Sequence, residues 1–356
     1  MSSELILTDP TAKTATPARW YERWALRLIN DPRDLPFFRL SFTASAVLMP
    51  SAVYLFWPGN FRWWLGAIYF AINFFAFFDR FILMLHNTSH RPLFKRRYKR
   101  LNRYIPWVLA PLFGQTPDTY YAHHMGMHHP ENNLEDDLSS TMRYQRDSFL
   151  HWLVYFLRFF FLIPIEIGRY FAKRQRFKLM RRMYLGEVSW WVMIAVLLSV
   201  NWQATLAVFL APFTAARVLM MAGNWAQHAF IDAEHPEDPY VNSITCINSR
   251  YNRRCFNDGY HIGHHIRANR HWTDMPADLL KNRDEYAKRD AVVFEGIDYF
   301  MIWLYLMLKR YDWLARRFVQ LGSERRDEQQ IIALLKRRTK RIRRPVPTLE
   351  PATRGA

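Results

Sequence analysis

The chain has 356 residues, of which 50% are hydrophobic and 17% aromatic, and its formal net charge is +18. This combination argues against a soluble globule, and because no RNA- or DNA-binding motif is present we expect no nucleic-acid partner. The two cysteines, Cys246 and Cys255, exclude a disulfide framework and a CxxC zinc site.

The N-terminal half begins with a polar segment, residues 1–37, whose first 19 residues have no apolar core and so predict no cleavable signal peptide. Two apolar runs follow, 38–57 and 63–85, separated by Pro58-Gly59-Asn60. Each is long enough to cross a hydrocarbon core, which takes about 20 residues. We therefore predict a first transmembrane hairpin over residues 38–85.

Residues 86–187 are predicted to form the first part of a cap. Its apolar stretches 107–113 and 149–167 are interrupted by prolines and charged residues, which favours interfacial segments, or for the second a buried amphipathic helix. Residues 188–222 are predicted as a second transmembrane hairpin, split at 201–203. Within it, Pro212 is expected to kink the helix and Arg217 to snorkel toward its inner end.

The C-terminal part divides into a second cap segment, residues 223–330, and a basic tail, 331–356. The aromatic run 299–308 is predicted as an interfacial helix or part of the cap core. Basic residues cluster at 95–103, 173–182 and 336–344, whereas the connectors 58–62 and 201–203 carry one, Arg62. By the positive-inside rule both termini and the cap are cytoplasmic and lie against membrane lipid. The prediction is an all-α integral membrane protein with four transmembrane helices in two hairpins and a helical cytoplasmic cap.

Nine of the 13 histidines fall in four clusters on the predicted cytoplasmic side. The clusters are His86 and His90; His124, His128 and His129; His228; and His261, His264 and His265. Helical spacing predicts that His86 faces with His90, His124 with His128, and His261 with His264 and His265. Each cluster alone could be structural, and His123 could replace His124 in a shifted register. Together, nine imidazoles exceed what one ion holds, so the clusters predict two metal ions.

The motifs HxxxH, HxxxHH and HxxHH in this order resemble the three histidine boxes of the membrane fatty acid desaturase superfamily. The closing HHIRANRHWTDMP is similar to bacterial relatives, with Met275 where leucine is usual. Asn224–His228 matches the family's NxxxH element, which implies His228 as a direct ligand and Asn224 as one acting through water.

The resemblance implies a di-iron site (Fe2+) in a multi-pass protein of the bacterial inner membrane, with all nine clustered histidines as ligands. The implied reaction is O2-dependent, stepwise removal of two hydrogens from a long acyl chain. Its electrons would come from a separate ferredoxin or b-type cytochrome.

Ligating histidines usually donate their second N–H to an acceptor. The candidate partners beside the boxes are Asp79, Asp118, Asp232, Asp258 and His271, with Glu131, Glu135, Asp136 and Asp137 in a loop that could equally be solvated. Asp79 is expected to pair with Arg80 or with a polar group of the cap. His151 and His235 are expected to be structural or solvated.

Two alternatives stay open. A hydroxylase or ketolase of the same superfamily, acting on alkane, carotenoid or lipid, shares the boxes, although HxxHH preceded by NxxxH favours a desaturase. A membrane metal carrier or sensor would need histidines inside the spans, whereas all nine lie at or beyond the span ends. The aromatic residues of the spans, Phe70, Phe74, Phe75, Phe77 and Phe78, could line a substrate tunnel or face lipid, and carry no assignment.

Overall fold

The computed structural model describes residues 5–12 and 19–342, and the fold is mostly helical. The α-helices are α1 (Trp20–Leu28), α2 (Leu35–Phe56), α3 (Trp63–Ala71), α4 (Asp79–His90), α5 (Thr119–His123), α6 (His129–Glu131), α7 (Phe149–Lys173), α8 (Phe177–Thr205), α9 (Ala211–Gln227), α10 (Pro239–Asn242), α11 (Arg250–Arg254), α12 (His261–Ile266), α13 (Met275–Lys281), α14 (Arg283–Lys288), α15 (Tyr299–Met307), α16 (Tyr311–Ala315) and α17 (Glu328–Arg338). Four π-helical segments join or interrupt them: Ile72–Phe78, Ile105–Leu109, His124–His128 and Leu206–Leu210. Four 3-10 segments complete the helical set: Pro32–Asp34, Arg96–Arg103, Ala110–Phe113 and Trp272–Asp274.

Two short strands depart from the all-α prediction. Strand β1 (Thr245–Ile247) pairs in parallel with β2 (Val293–Glu295), with Thr245 opposite Val293. Both strands contain buried, mostly β-branched or aromatic residues, a composition that suits a pleated surface. At three residues each they are too short to give a periodic signal in the sequence.

Within the described part of the chain, four helical stretches are long and apolar enough to cross a membrane: Pro32–Phe56, Trp63–His90, Phe149–Lys173 and Phe177–Gln227. The first covers the run predicted at 38–57 except its last residue, and the second contains the run predicted at 63–85 and continues through His90. The third includes segment 149–167, which was predicted to be interfacial or a buried amphipathic helix because prolines and charged residues interrupt it. In the structure Arg158 and Glu166 form an ion pair of 2.8 Å along α7, so that each charge compensates the other.

The fourth stretch has 51 residues and is broken at Asn201, whose backbone leaves the helical region (φ −156°, ψ 95°). The rings of Trp190 and Phe213 stack with centroids 5.8 Å apart. Residues this far apart in sequence would be separated by about 35 Å in a straight helix. The chain therefore reverses direction at Asn201 and α9 runs back along α8.

The two connecting turns lie together at one end of the long helices. The ring centroids of Trp63 and Trp202 are 5.9 Å apart, and the side-chain amide of Asn201 donates to the backbone oxygen of Leu55. His86 and His90 end α4, and His228 follows α9, so these histidines are at the opposite ends of their helices from the turns. The helix directions thus collect histidines at one end of the bundle.

The segments at the histidine end are tied together by buried polar side chains. Arg146 is fully buried and donates to the backbone oxygens of Ala229 (2.9 Å) and Arg338 (2.9 Å), which attaches α17 to the segment carrying His228. Asp9 accepts from the Tyr260 hydroxyl at 2.7 Å, which fixes N-terminal residues beside α12. On α15, Tyr299, Ile302 and Leu306 are buried, and the helix packs against α9, whereas Phe300 and Leu304 are exposed.

Candidate metal centre

The structure gathers the nine clustered histidines into two groups. The first contains His86, His90, His124, His129 and His264, and the second contains His128, His228, His261 and His265. Within each group, one ring nitrogen of every member lies within 4.8 Å of those of the others. Iron binding by these groups stays a prediction. The distances between the ring nitrogens and the hydrogen-bond partners of the rings show whether the two groups suit a metal ion.

The first two boxes place their histidines by different helical pitches. His86 and His90 are four residues apart on α4 and enter the same group, as expected for one helix face. Residues His124–His128 form a π-helical turn, in which the His129 amide bonds to the His124 oxygen. His124 therefore shares a group with His129, while His128 enters the other. The predicted pairing of His124 with His128 is wrong because it assumed α-helical pitch.

The third box is also divided between the groups. On α12, His261 and His265 are four residues apart and both enter the second group, whereas His264 enters the first. The prediction placed all three on one face. Because His264 is one residue from His265, about 100° around the helix, it points toward a different centre. Boxes two and three thus each supply both groups.

The distances between ring nitrogens fit ligands of a common ion. In the first group the Nε2 atoms of His90 and His124 are 2.8 Å apart, and those of His86 and His264 are 3.0 Å apart. In the second group, the Nε2 atoms of His265 and His261 are 3.0 Å apart. Two nitrogens at about 2.1 Å from one ion and at a right angle are about 3.0 Å apart. Imidazole nitrogens in this arrangement suit a transition metal such as iron.

Acceptors outside the groups orient three of the rings. The Nδ1 atom of His86 lies 2.9 Å from Asp258 Oδ1, and that of His128 lies 2.7 Å from Asp137 Oδ2. The Nδ1 atom of His228 lies 2.8 Å from the backbone oxygen of Asn242. Carboxylate and carbonyl oxygens only accept, so Nδ1 donates in each ring and the Nε2 lone pair is left for a metal.

The charge state of the rings also favours metal binding. Burial, followed by the neighbouring imidazoles, lowers the pKa of His124 and His264 well below the usual value. The same causes lower the pKa of His261 and His265, and burial together with His128 lowers that of His228 to about 3. These rings are therefore neutral near pH 7, the form that binds metal.

Asp137 is a partner that the sequence did not separate from its neighbours. It is fully buried, and burial alone would raise its pKa, but His128 and Ser139 hold the pKa of this carboxyl below its usual value. The neighbouring Asp136 instead pairs with Arg174 at the surface. Three consecutive acidic residues give no signal of which one is buried, so the tertiary structure decides this.

Two predicted partners of the histidines bind elsewhere. Asp118 accepts from the indole of Trp107 (2.9 Å) and from Arg182 (2.6 Å), and so joins α8 to the segment before α5. Asp232 pairs with Arg338 at 3.0 Å. Their nearness to the boxes in sequence does not bring their carboxylates to the rings, because opposite charges on other helices hold them.

Asp79 and His271 also contact other groups. Asp79 pairs with Arg254 of the cap segment, one of the two kinds of partner expected for it. His271 Nε2 lies 3.0 Å from Asp34 Oδ1, in a network that connects the third box to the turn before α2. Of the five candidate partners predicted beside the boxes, Asp258 is the one that contacts a clustered histidine in the described residues.

Asn224 and His123 lie close to the two groups but outside them. The Asn224 amide nitrogen donates to the Ser139 backbone oxygen (3.0 Å) and to the Tyr155 hydroxyl (2.7 Å), and its role through water stays a prediction. His123 packs against the Phe159 ring at 5.3 Å, and burial lowers its pKa to about 4. This placement favours His124, rather than His123, as the histidine that belongs to box two.

A cavity of about 530 Å³ reaches both groups. Four of the clustered histidines line it, two from each group, namely His86, His124, His128 and His261, and His123 lines it as well. Most of the remaining lining is apolar and comes from the long helices, including Phe74, Phe75, Phe78, Ile82, Leu83, Phe159, Ile163, Leu219, Met220 and Met221. The cavity can therefore hold an apolar chain in contact with both groups. Phe74, Phe75 and Phe78, which the sequence left unassigned, are part of its wall.

The comparisons with known proteins give one match. Residues 61–297, which are more than half of the chain, match the family model described as fatty acid desaturase. No curated protein and no solved structure matches the chain. The matched region contains all nine clustered histidines.

Proposed function

The chain belongs to the fatty acid desaturase family, and on this premise we propose that it is a membrane di-iron oxidoreductase that uses O2 to introduce a double bond into a long acyl chain. The observation that carries the proposal is the cavity, because one apolar space touches histidines of both groups. Two bound iron ions would supply the activation of O2 and the oxidation of a C–H bond.

The protein's own residues prepare the site in three ways. Asp258, Asp137 and the Asn242 carbonyl fix the rings of three histidines, so that their Nε2 atoms face inward. The aromatic and aliphatic lining excludes water from the chain-binding space. The long helices hold an extended substrate beside both groups, which positions one stretch of the chain for oxidation.

We also propose the orientation of the protein in the membrane. The basic segments 95–103 and 173–182 belong to the histidine end, and both termini would be cytoplasmic with them. At the opposite end, Trp57, Trp63, Trp64 and Trp202 are exposed around the connecting turns, as expected for an aromatic belt at a membrane interface. In a bacterial host, this places the site on the inner face of the inner membrane.

The proposed electron donor is an acidic carrier, a ferredoxin or a b-type cytochrome. A surface groove lined by Arg91, Arg267, Arg270 and Lys281 lies next in the chain to His90 and His265. A cationic groove beside the candidate ligands would attract an acidic protein and shorten the path of the electron. This groove also contains the acidic residues Asp274 and Asp278, which would repel an acidic protein. The attraction would therefore come from its four basic residues, which outnumber them.

The reaction is tested by expressing the wild-type chain, His264→Ala and His235→Ala in a host given isotope-labelled octadecanoate. We expect a labelled product with two fewer hydrogens from the wild type in air, and none without O2 or with His264→Ala. The exposed His235 serves as the control, and its variant should keep full activity. The product is identified by gas chromatography and mass spectrometry of the total fatty acids.

The same measurement distinguishes desaturation from hydroxylation and from keto-group formation. A hydroxylated or keto product without new unsaturation would support the hypothesis of a hydroxylase or ketolase and contradict desaturation. Full activity in His264→Ala would contradict the ligand assignment itself. Iron content, measured on each purified variant, shows whether lost activity follows from lost metal.

A further inference from the structure

Arg217 is a buried arginine inside a stretch that is apolar enough to cross a membrane. It lies on α9, is 9% exposed and lines the cavity that reaches the two histidine groups. The sequence suggested that its side chain would extend toward the inner end of the helix, but the structure keeps it within the protein. An ionisable side chain at such a depth is costly and usually has a functional partner.

The contacts of Arg217 fix the position of its guanidinium but leave part of its hydrogen-bonding capacity unused. The group stacks on the Phe213 ring, 3.6 Å from the centroid, and Nη1 donates to the Gly114 oxygen over a long 3.4 Å. Its Nε atom is buried and has no hydrogen-bond partner among the described residues. An arginine has five N–H donors in one plane. Because buried donors are usually paired, the unpaired N–H groups of Arg217 are available to an acceptor in a ligand.

A buried carboxylate lies near enough to Arg217 to act on its charge. Glu187, which is buried on the neighbouring helix α8, acts on it electrostatically. The Glu187 oxygen Oε1 accepts hydrogen bonds from the hydroxyls of Thr116 (2.6 Å) and Thr119 (2.8 Å). The described residues contain no direct ion pair between Glu187 and Arg217 within 4.0 Å. Because a negative charge is already nearby, the missing partner is better supplied by an uncharged oxygen than by an anion.

The position of Arg217 relates it to the metal centre. Seven residues separate it from Asn224, which lines the same cavity one helical turn before His228. Seven residues are two helical turns, so both side chains leave the same face of α9, about 10 Å apart along its axis. Because Arg217, Asn224 and four of the clustered histidines line one cavity, a chain that lies beside the histidines can also reach Arg217.

We propose that Arg217 binds an uncharged acceptor oxygen of the substrate, a carbonyl or hydroxyl, in the part of the cavity that lies about 10 Å along α9 from Asn224. This inference rests on the proposed function and refines its substrate class. The oxygen has two sources: a group within the hydrocarbon chain, or the carbonyl of the acyl ester. In either case Arg217 sets the register of the chain, and so the position at which it is oxidised.

The test measures equilibrium binding of radiolabelled probes to the full-length protein in nanodiscs. The probes are octadecane, methyl octadecanoate, and methyl octadecanoates with one oxo group at successive chain positions. We expect Arg217→Met to weaken binding of the preferred oxygen-bearing probe about tenfold or more, since a hydrogen bond to a charged group is lost. Binding of octadecane should stay unchanged.

The pattern among the probes identifies the source of the oxygen. If one oxo position binds more tightly than plain methyl octadecanoate, the acceptor lies within the chain. If the plain ester binds as tightly as every oxo probe and more tightly than octadecane, the acceptor is the acyl carbonyl. If Arg217→Met binds every probe as the wild type does, the proposal is overturned.

Two further variants separate recognition from folding. Arg158→Met removes another arginine of a candidate span, one that pairs with Glu166, and should leave the probe preference intact. Arg217→Met combined with Glu187→Gln keeps the buried charges balanced and should still lose the preference. If that double variant regains it, Arg217 only neutralises Glu187 and the proposal is wrong. An Arg217-dependent preference without O2-dependent conversion would instead refute the proposed function and leave this site standing.

Discussion

Adjacent histidines in this chain belong to different groups. His128 and His129 enter different groups, as do His264 and His265. The residue types and spacing predicted that these nine would gather, and the structure brings all nine into the two groups. Which group each one joins depends on helical pitch and on the acceptor bound to its second nitrogen.

At the residue scale, Asp137 offers a direct test of ring orientation. Asp137→Asn removes the carboxylate that accepts from His128 Nδ1, and we expect a loss of iron affinity of about 10- to 100-fold. The affinity is measured by competition with a calibrated chelator. Asp136→Asn is the matched control, because Asp136 is exposed and pairs with Arg174. Equal iron retention in the two variants would show that Asp137 does not orient a ligand.

The register of the second box gives another test at this scale. His124→Ala should lower the iron content of the purified protein, because His124 contributes its Nε2 to the first group. His123→Ala should keep both ions, since His123 packs against Phe159 outside the groups. Iron is quantified by mass spectrometry and protein by amino-acid analysis. The reverse result would mean that the box uses His123.

At the scale of elements, the helices owe their relative positions to a few close approaches. The π-helical turn at His124–His128 redirects one histidine, and Asn201 turns the chain back on itself. Gly114 is a third such point: its φ is +69°, and an added Cβ would lie 2.2 Å from the backbone of Phe213. This contact brings the segment 110–114 against α9.

Gly114→Ala should therefore destabilise the protein. A positive φ disfavours alanine and the Phe213 backbone cannot move aside, so we expect a loss of about 2 kcal/mol or more. The apparent melting temperature of the detergent-solubilised protein would report it. Gly223→Ala on α9 is the control, because its Cβ would meet nothing within 4 Å, and it should be tolerated. A Gly114 variant as stable as the Gly223 variant would contradict the close packing.

At the scale of the whole molecule, the charge distribution predicts one orientation in the membrane. The cluster at 95–103 belongs to the histidine end, and the turn at 57–62 to the other. Both native cysteines are buried, so single added cysteines can report accessibility without their removal. Lys99→Cys should react with a membrane-impermeant maleimide only after the cells are permeabilised, whereas Pro58→Cys should also react in intact cells. The opposite pattern would place the metal centre outside.

The sequence by itself determined the class of this protein. Apolar runs of membrane length, basic clusters on one side and three spaced histidine motifs are local features, and none needs tertiary contacts to be seen. They also singled out the nine histidines that the structure gathers into two groups. Segment 149–167 was predicted to be interfacial or a buried amphipathic helix because prolines and charged residues interrupt it, and the structure makes it part of one long helix along which Arg158 and Glu166 pair.

The tertiary structure alone decided how these residues work together. Helical pitch and chain reversal divided the histidines into two groups, and buried acceptors such as Asp137 set their rings. Folding also carried Arg217 into the cavity wall instead of toward the membrane surface. The physical reason is that a side chain's partners lie across the fold: burial, ion pairing and cavity shape depend on helices that are distant in sequence.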